Sequence, residues 1–431
     1  MEIFKYDGNN VFIMSDIRVD KEREYIPSNS QMGLKVRVQI IPEGLEGSKF
    51  ITHSSNTIIL LDNSGSMFGS KLEDAKNAVL EYIKSLNPND FISLYTFSDL
   101  TERIIDNANI SDNIENFKIK ILGISAEGGT NMWSALNETL KLVRINEGRV
   151  RDKSVKILLV TDGIPTDGDD QSFIKISAEF GKLGIPLYLI GIGSDYNEDL
   201  LLRMYRANEI GFFRHVDENS SLQNLFDEIS KEKILYPSRN LIIKLTTGTS
   251  VKKIYKLEPQ ILELRPEKSD DHTLIVPLGN IGTEKQKVLM LIELPSRPSG
   301  EYREGLFSIE LDKLITKPFT VIRTEDLDKI KNSKNEIISA EYIEAETNIL
   351  SQVALDKNDQ KSSQEATIAL TKRLETIKKN PSMSKILGED KIRDIEETQK
   401  IIQGTIKVSP EDLKKKKEGF TRRRGTGGDN P

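Results

Sequence analysis

The chain has 431 residues, of which 37% are hydrophobic and 30% are charged, and its formal net charge is −6. This apolar content is enough for buried cores, and the length corresponds to roughly three domains at about 150 residues each. The acidic balance excludes the overall positive charge of a nucleic-acid-binding protein, so we expect no nucleic-acid partner. The absence of cysteine excludes disulfides, thiolate metal sites and a cysteine nucleophile.

The sequence has neither of the usual membrane signals. The N-terminal stretch MEIFKYDGNNVF lacks the basic and then apolar pattern of a signal peptide. The longest apolar runs are strand-sized and fall short of the roughly 18–20 residues of a membrane helix. We therefore expect a soluble, cytoplasmic protein with no membrane partner.

The first half of the chain changes pattern near residue 55. Residues 1–54 are expected to supply strands of an antiparallel β-sandwich, because LKVRVQI at 34–40 alternates apolar and polar side chains. Residues 55–235 then alternate between helical patterns and apolar strands: TIILLD (57–62), FISLYTFS (91–98), KILLVTDG (156–163), PLYLIGIGS (186–194) and FFRHV (212–216). This alternation predicts a parallel, doubly wound α/β sheet.

The second half is expected to contain three further segments. Residues 236–325 return to short strands separated by Gly, Pro and acidic turns, which favours the remainder of the β-sandwich, with the α/β domain inserted between its two parts. Residues 326–403 have apolar side chains at helical spacing and predict a helical segment. Residues 404–431 have few apolar side chains and a basic character, so we expect a disordered tail.

Polar side chains follow the first apolar strand of the α/β segment. Asp62, Ser64 and Ser66 form the pattern D-x-S-x-S between a buried strand and an amphipathic helix. In a doubly wound sheet, ligands bind beyond the carboxyl ends of the strands, where this loop would lie. One carboxylate and two hydroxyls in a tight loop are oxygen donors of the kind that Mg²⁺ prefers.

Two further loops supply similar donors at the same predicted edge. Thr130 follows Gly128-Gly129 before a helix, and Asp162 ends the strand KILLVT. A single aspartate at such a position could equally cap a helix or a turn. Three loops in matching positions favour a site for Mg²⁺ or Mn²⁺ instead.

The segments DNSGS, GGTN and TDG together resemble the metal-ion-dependent adhesion site of von Willebrand factor A domains, over about residues 55–235. The resemblance implies that the cation is bound by Ser64, Ser66 and Thr130, with Asp62 and Asp162 binding directly or through water. It also implies that an acidic group of a protein partner completes the coordination shell.

The sequence contains no catalytic motif. The three histidines lie in separate segments, and no G-x-S-x-G elbow or phosphate-binding P-loop occurs. We therefore expect a binding protein and not an enzyme.

The C-terminal tail carries a candidate phosphorylation site. Arg422–Arg424 precede Thr426 in the form of a substrate for a basophilic Ser/Thr protein kinase. Asp429, three residues after Thr426, resembles the phosphothreonine motif that forkhead-associated domains bind, so it is expected to contact that partner. Thr421, beside the same arginines, is the second candidate. The basic run could also be only a solvated chain end.

The order of the segments is similar to the trunk arrangement of Sec23 and Sec24. It is also similar to the von Willebrand factor A proteins of the crenarchaeal archaellum regulatory network (ArnB-like), which pair with a forkhead-associated protein. This resemblance implies a phosphorylation-dependent regulator of motility. The alternative is an adaptor for a MoxR-type AAA+ ATPase.

Overall fold

The computed structural model describes residues 16–42, 54–110, 114–145, 154–217, 221–232, 234–258, 260–311, 313–356 and 360–421. The chain begins with three strands, which are β1 (Asp16–Lys21), β2 (Tyr25–Pro27) and β3 (Met32–Ile41). The alternating side chains of β3 behave as expected, since Leu34, Val36 and Val38 are completely buried.

The middle of the chain forms an α/β domain. Its strands are β4 (Ser55–Asp62), β5 (Phe91–Phe97), β6 (Thr101–Asn109), β7 (Ser154–Thr161), β8 (Leu187–Ile192) and β9 (Phe212–Val216). Its helices are α1 (Ser70–Ser85), α2 (Ile114–Leu122), α3 (Met132–Ile145), α4 (Asp170–Lys182), α5 (Glu198–Asn208) and α6 (Leu222–Ser230). The predicted α/β alternation is confirmed.

The strands of this domain lie in the order β6-β5-β4-β7-β8-β9 among the described residues. All neighbours are parallel except β6, which pairs antiparallel with β5. The predicted parallel, doubly wound sheet thus has an antiparallel edge strand that was not expected, because TERIIDNAN lacks the continuous apolar run that indicated the other strands. The strand order reverses at β4, so the crevice beyond the ends of β4 and β7 is where this fold binds ligands.

Eight strands follow the α/β domain in the described residues. They are β10 (Ile234–Leu245), β11 (Ser250–Glu258), β12 (Leu262–Glu263), β13 (Glu267–Lys268), β14 (Thr273–Gly282), β15 (Gln286–Leu294), β16 (Gly300–Glu310) and β17 (Leu314–Thr324). They form two sheets with the N-terminal strands, in the orders β1-β3-β15-β11-β12 and β13-β14-β10-β16-β17-β2.

Strands from before and after the α/β domain are neighbours in both sheets. In the first sheet, β3 pairs with β15 over nine residues, with Leu34 opposite Ile292. In the second sheet, β2 pairs with β17, with Ile26 opposite Arg323. Buried side chains of both sheets belong to one hydrophobic cluster, in which Val36 of the first sheet packs in the same core as Phe307 of the second.

The last part of the chain is helical, as expected for residues 326–403. The helices are α7 (Leu327–Asn332), α8 (Glu336–Ala354), α9 (Gln360–Lys378), α10 (Pro381–Leu387), α11 (Glu389–Ile402) and α12 (Pro410–Gly419). One side of α8 packs on the first sheet through Ile338 and Tyr342. Its other side packs on α9–α11 through Ala340 and Ile343, so α8 is buried on both sides.

The expectation of a disordered tail from residue 404 is wrong for the part that forms α12. Ser409 caps this helix by accepting a hydrogen bond from the amide of Asp412 at 3.0 Å. Lys414 donates to the carbonyl of Tyr196 in the α/β domain at 3.0 Å, and Lys417 pairs with Asp199 at 2.5 Å. Buried lysines thus dock a helix that has almost no apolar side chains, which hydrophobicity alone does not predict.

No helix among the described residues is long and apolar enough to cross a membrane.

Candidate metal centre

The first loop of the site follows β4. Asp62, the last residue of this buried strand, is completely shielded from solvent. Its Oδ1 accepts a hydrogen bond from the amide of Ser64 at 2.8 Å, which turns the chain sharply at the end of the strand. A 3₁₀ turn over Gly65–Met67 then brings Ser66 back toward the sheet. The hydroxyls of Ser64 and Ser66 lie 3.0 Å apart.

The loop after β7 completes the pair of carboxylates. Asp162 is completely buried, and its Oδ1 accepts a hydrogen bond from the hydroxyl of Ser66 at 2.7 Å. Thr161, the last residue of β7, donates its hydroxyl to Oδ2 of Asp62 at 2.6 Å. The carboxylate at the end of each strand thus accepts a hydrogen bond from the other side of the pair. Asp62 accepts from Thr161 of β7, and Asp162 accepts from Ser66 in the loop after β4.

The third loop lies between α2 and α3 and carries Thr130. The amide of Gly65 donates to the carbonyl of Gly128 at 3.1 Å, which joins this loop to the first. The side chain of Thr130 converges on the same place, because a Cβ added to Gly163 would lie 3.0 Å from Oγ1 of Thr130 and 3.6 Å from Oδ2 of Asp62. The absence of a side chain at Gly163 therefore leaves a cradle between these two oxygens.

The five residues expected to bind a metal are brought together at this edge. They provide only oxygen atoms, from two carboxylates and three hydroxyls. In the part of the chain that the structure describes, no group of three or more histidines and carboxylates could hold a metal. A hard oxygen donor set with an open cradle fits Mg²⁺ or Mn²⁺.

Electrostatics also favour a cation here. Burial raises the pKa of Asp62 above its ordinary value, although hydrogen bonds from Ser64 and Thr161 act in the opposite direction and the nearby charge of Asp162 adds to the rise. A buried carboxylate is stabilised by a nearby positive charge. The structure places one such charge beside Asp162, where Nζ of Lys71 lies 2.5 Å from Oδ2.

Two contributors to the site were missed by the sequence reasoning. Thr161 directly precedes Asp162, and its hydroxyl contacts a carboxylate of the other strand, which the spacing along the chain does not indicate. Lys71 lies in the first turn of α1, five residues after Ser66. The signal for Lys71 is its position in the first turn of the helix that follows the metal loop, where a long side chain can reach back to the strand ends.

Thr421, the candidate tail residue that the structure describes, is not part of this centre. Thr421 is completely buried, its hydroxyl donates to the carbonyl of Glu418 at 2.7 Å, and its carbonyl accepts from the amide of Ile261 at 2.8 Å. Phosphorylation of Thr421 therefore requires it to leave this buried position. Thr426 and Asp429 lie outside the described residues.

Comparison with known proteins identifies the α/β domain. Residues 56–228 match the family model of the von Willebrand factor type A domain. The chain therefore contains this domain, and domains of this family commonly bind a divalent metal.

Two curated relatives match part of the chain. An uncharacterized protein of Synechocystis sp. is 26% identical over 264 residues, which cover 60% of this chain and 61% of the relative. Inter alpha-trypsin inhibitor heavy chain 4 of Mus musculus is 31% identical over 196 residues, which cover 42% of this chain and 20% of the relative. The chain thus spans less than two thirds of the length of either relative.

Solved structures resemble most of the chain in fold. A von Willebrand factor type A protein from Catenulispora acidiphila has a TM-score of 0.77 at 16% identity, covering 97% of this chain and 99% of that one. The ArnB paralog VWA2 from Sulfolobus acidocaldarius has a TM-score of 0.57 at 18% identity, covering 91% and 100%. Human COPII-coat protein Sec24c has a TM-score of 0.56 at 9% identity, covering 88% and 59%. At these identities the likeness concerns the fold alone, and at that level the expected similarity to Sec24 is confirmed.

Proposed function

We propose that this protein is a non-enzymatic scaffold that binds a protein partner through a divalent cation. The cation is Mg²⁺ or Mn²⁺, held by Asp62, Ser64, Ser66, Thr130 and Asp162. The observation that supports this most is the convergence of these five oxygen donors from three loops on the crevice where the strand order reverses. An acidic group of the partner completes the coordination shell.

The proposal is tested by a calorimetric titration with Mg²⁺ of two matched serine variants. Ser66→Ala removes a hydroxyl that lies 2.7 Å from Asp162, and it should weaken Mg²⁺ binding by at least about tenfold. Ser70→Ala removes an exposed hydroxyl four residues later, at the start of α1, and should bind like the wild type. Equal Mg²⁺ affinity in both variants, or no saturable binding by the wild type, contradicts the proposal.

We further propose that the scaffold is a phosphorylation-dependent cytoplasmic regulator of archaellum expression that pairs with a forkhead-associated protein. The likeness in fold to the ArnB paralog VWA2 is compatible with this role. The arginine triplet before Thr426 would direct a Ser/Thr kinase to it, and phosphate adds about −1.5 to −2 charge for an arginine-bearing pocket.

Treatment with such a kinase, followed by mass spectrometry and binding to a forkhead-associated domain, tests the second proposal. Thr426→Ala should abolish most of the gain in binding, whereas Ser66→Ala should leave it intact. If the phosphorylated and unmodified proteins bind the forkhead-associated domain equally, the proposed regulatory role is contradicted. The proposed metal-dependent role is not affected by that result.

A further inference from the structure

Three large apolar side chains are exposed on the loops that surround the metal centre. Phe68 is 83% exposed, Leu100 is 73% exposed and Ile164 is 63% exposed. No other large apolar side chain in the described residues is as exposed as Phe68. Apolar side chains grouped in this way mark sites of interaction. We call these three residues the apolar rim.

The rim residues follow three neighbouring strands that end at the same level. Asp62 of β4 pairs with Phe97 of β5, and Leu61 pairs with Val160 of β7. Leu100 therefore follows β5, Phe68 follows β4 and Ile164 follows β7. Neighbouring strands lie about 4.8 Å apart, so the three loops span roughly 10 Å across the metal centre.

Hydrogen bonds fix the rim loops to the loops that carry the donors. Beside Leu100, Oδ1 of Asp99 accepts from the amide of Gly129 at 2.8 Å. Two residues after Ile164, the amide of Thr166 donates to the carbonyl of Thr130 at 2.9 Å. These bonds hold the loops of Leu100 and Ile164 against the loop that carries Thr130.

The charges around the centre favour a partner with one acid and disfavour one with many. Asp167 lies three residues after Ile164, and its two carboxylate oxygens accept from the amides of Trp133 and Ser134 at 2.9 and 2.8 Å. Asp99, whose Oδ1 accepts from the amide of Gly129, carries a second negative charge beside the loop of Thr130. A partner carboxylate is attracted by the cation, but further acidic residues would lie against these two aspartates.

We infer that the metal edge recognises an extended segment with one acidic residue and a large apolar residue two positions before and after it. This inference depends on the metal-dependent binding proposed above. In an extended chain, residues two positions apart face the same side and lie roughly 7 Å from each other. When the acid faces the cation, the apolar side chains therefore face the flanking loops of the rim.

Two labelled peptides of identical composition test this spacing. GLSDSLG has leucine two positions from the aspartate, and GSLDLSG has leucine next to it. In Mg²⁺, the full-length protein should bind GLSDSLG about tenfold more tightly by fluorescence anisotropy, because burial of the leucines requires the correct face. All peptides are amidated at the C-terminus, so GLSNSLG carries no carboxylate and should not bind.

Variants of the protein distinguish the contribution of the apolar rim to peptide binding from that of the metal centre. The combination Phe68→Ser, Leu100→Ser and Ile164→Ser should abolish the difference between the two leucine peptides while Mg²⁺ uptake is kept. Ile145→Ser is the matched control, since this side chain is 80% exposed at the end of α3 away from the metal edge, and it should keep the difference.

Equal affinity for the two leucine peptides overturns the inference. A protein that takes up Mg²⁺ but binds neither peptide also overturns it and leaves the metal centre in place. Failure of Mg²⁺ uptake itself overturns both the inference and the proposed function.

Discussion

The ammonium group of Lys71 donates a hydrogen bond of 2.5 Å to Oδ2 of Asp162. Oδ1 of the same carboxylate accepts from Ser66 at 2.7 Å, so both oxygens of Asp162 have partners within the protein. The side chain of Lys71 is 33% exposed, and it belongs to the helix that begins directly after the metal loop. The ammonium group of Lys71 thus lies where a divalent cation would approach Asp162.

Replacing Lys71 should therefore strengthen metal binding. Lys71→Met removes a positive charge that repels the divalent cation, and we expect the affinity for Mg²⁺ to rise about tenfold in a calorimetric titration. Lys84→Met, near the other end of α1 with a side chain that is 57% exposed, is the matched control and should bind like the wild type. Weaker Mg²⁺ binding by Lys71→Met would show that this lysine supports the centre and does not compete with the cation.

Gly163 should be required for the open cradle. In Gly163→Ala, the added methyl group would lie 3.0 Å from Oγ1 of Thr130 and displace this hydroxyl, so Mg²⁺ affinity should fall about tenfold. Gly65→Ala is the control within the first metal loop, because its methyl group would meet its nearest neighbour, the carbonyl oxygen of Gly128, at an ordinary distance of 3.5 Å. A similar loss of Mg²⁺ affinity in Gly163→Ala and Gly65→Ala would contradict the role assigned to the cradle.

The position of the centre was predictable from the sequence, because its two carboxylates follow apolar runs that are typical of buried strands. Asp62 and Asp162 end two such runs, and neighbouring parallel strands bring their ends together. The centre's internal contacts were less predictable. That Thr161 donates to Asp62 across the two strands depends on the register of β4 and β7, which spacing along the chain does not specify.

The edge strand β6 and the helix α12 were missed for a shared reason. Both lack the apolar pattern on which the prediction depended, since β6 has only one buried residue and α12 docks through buried lysines. The helix did have a local signal, because Ser409 followed by Pro410 is a typical helix start. Its partners in the α/β domain are about 200 residues away in the sequence, as the separation of 218 residues between Lys417 and Asp199 illustrates.

The docking of α12 should depend on Lys417. Its side chain is completely buried and pairs with Glu198 and Asp199, so Lys417→Ala leaves two acids without this partner. We expect the free energy of unfolding to fall by about 3–5 kcal/mol in urea denaturation. Lys415→Ala removes a lysine that is 43% exposed, and it should lower the free energy of unfolding much less than Lys417→Ala does. Equal, small effects would mean that α12 is only loosely attached.

Glu209 should make stability depend on pH. Burial raises its pKa from 4.5 to about 7, partly opposed by a hydrogen bond from the amide of Arg265. The folded state therefore binds a proton more tightly than the unfolded state. The resulting stabilisation is complete below about pH 4.5 and is lost as the pH rises through about 7.

Glu209→Gln should remove this dependence. The variant should be more stable than the wild type at pH 8 and should show a smaller decrease in stability between pH 5 and pH 8 in thermal denaturation. Glu301→Gln, at an exposed position of β16, is the control and should follow the wild-type profile. If the Glu209 variant also follows that profile, this carboxyl group does not titrate in the expected range.

The metal centre is tested most directly by titrating Mn²⁺ into the wild type and Asp62→Ala, with free Mn²⁺ measured by electron paramagnetic resonance. The wild type should bind one Mn²⁺ that excess Mg²⁺ displaces. Asp62→Ala should lose this binding, because it removes the buried carboxylate that the other donors surround. Far-ultraviolet circular dichroism should be the same for both proteins, which excludes unfolding as the cause. Equal Mn²⁺ binding by the two folded proteins would contradict the assignment of this centre.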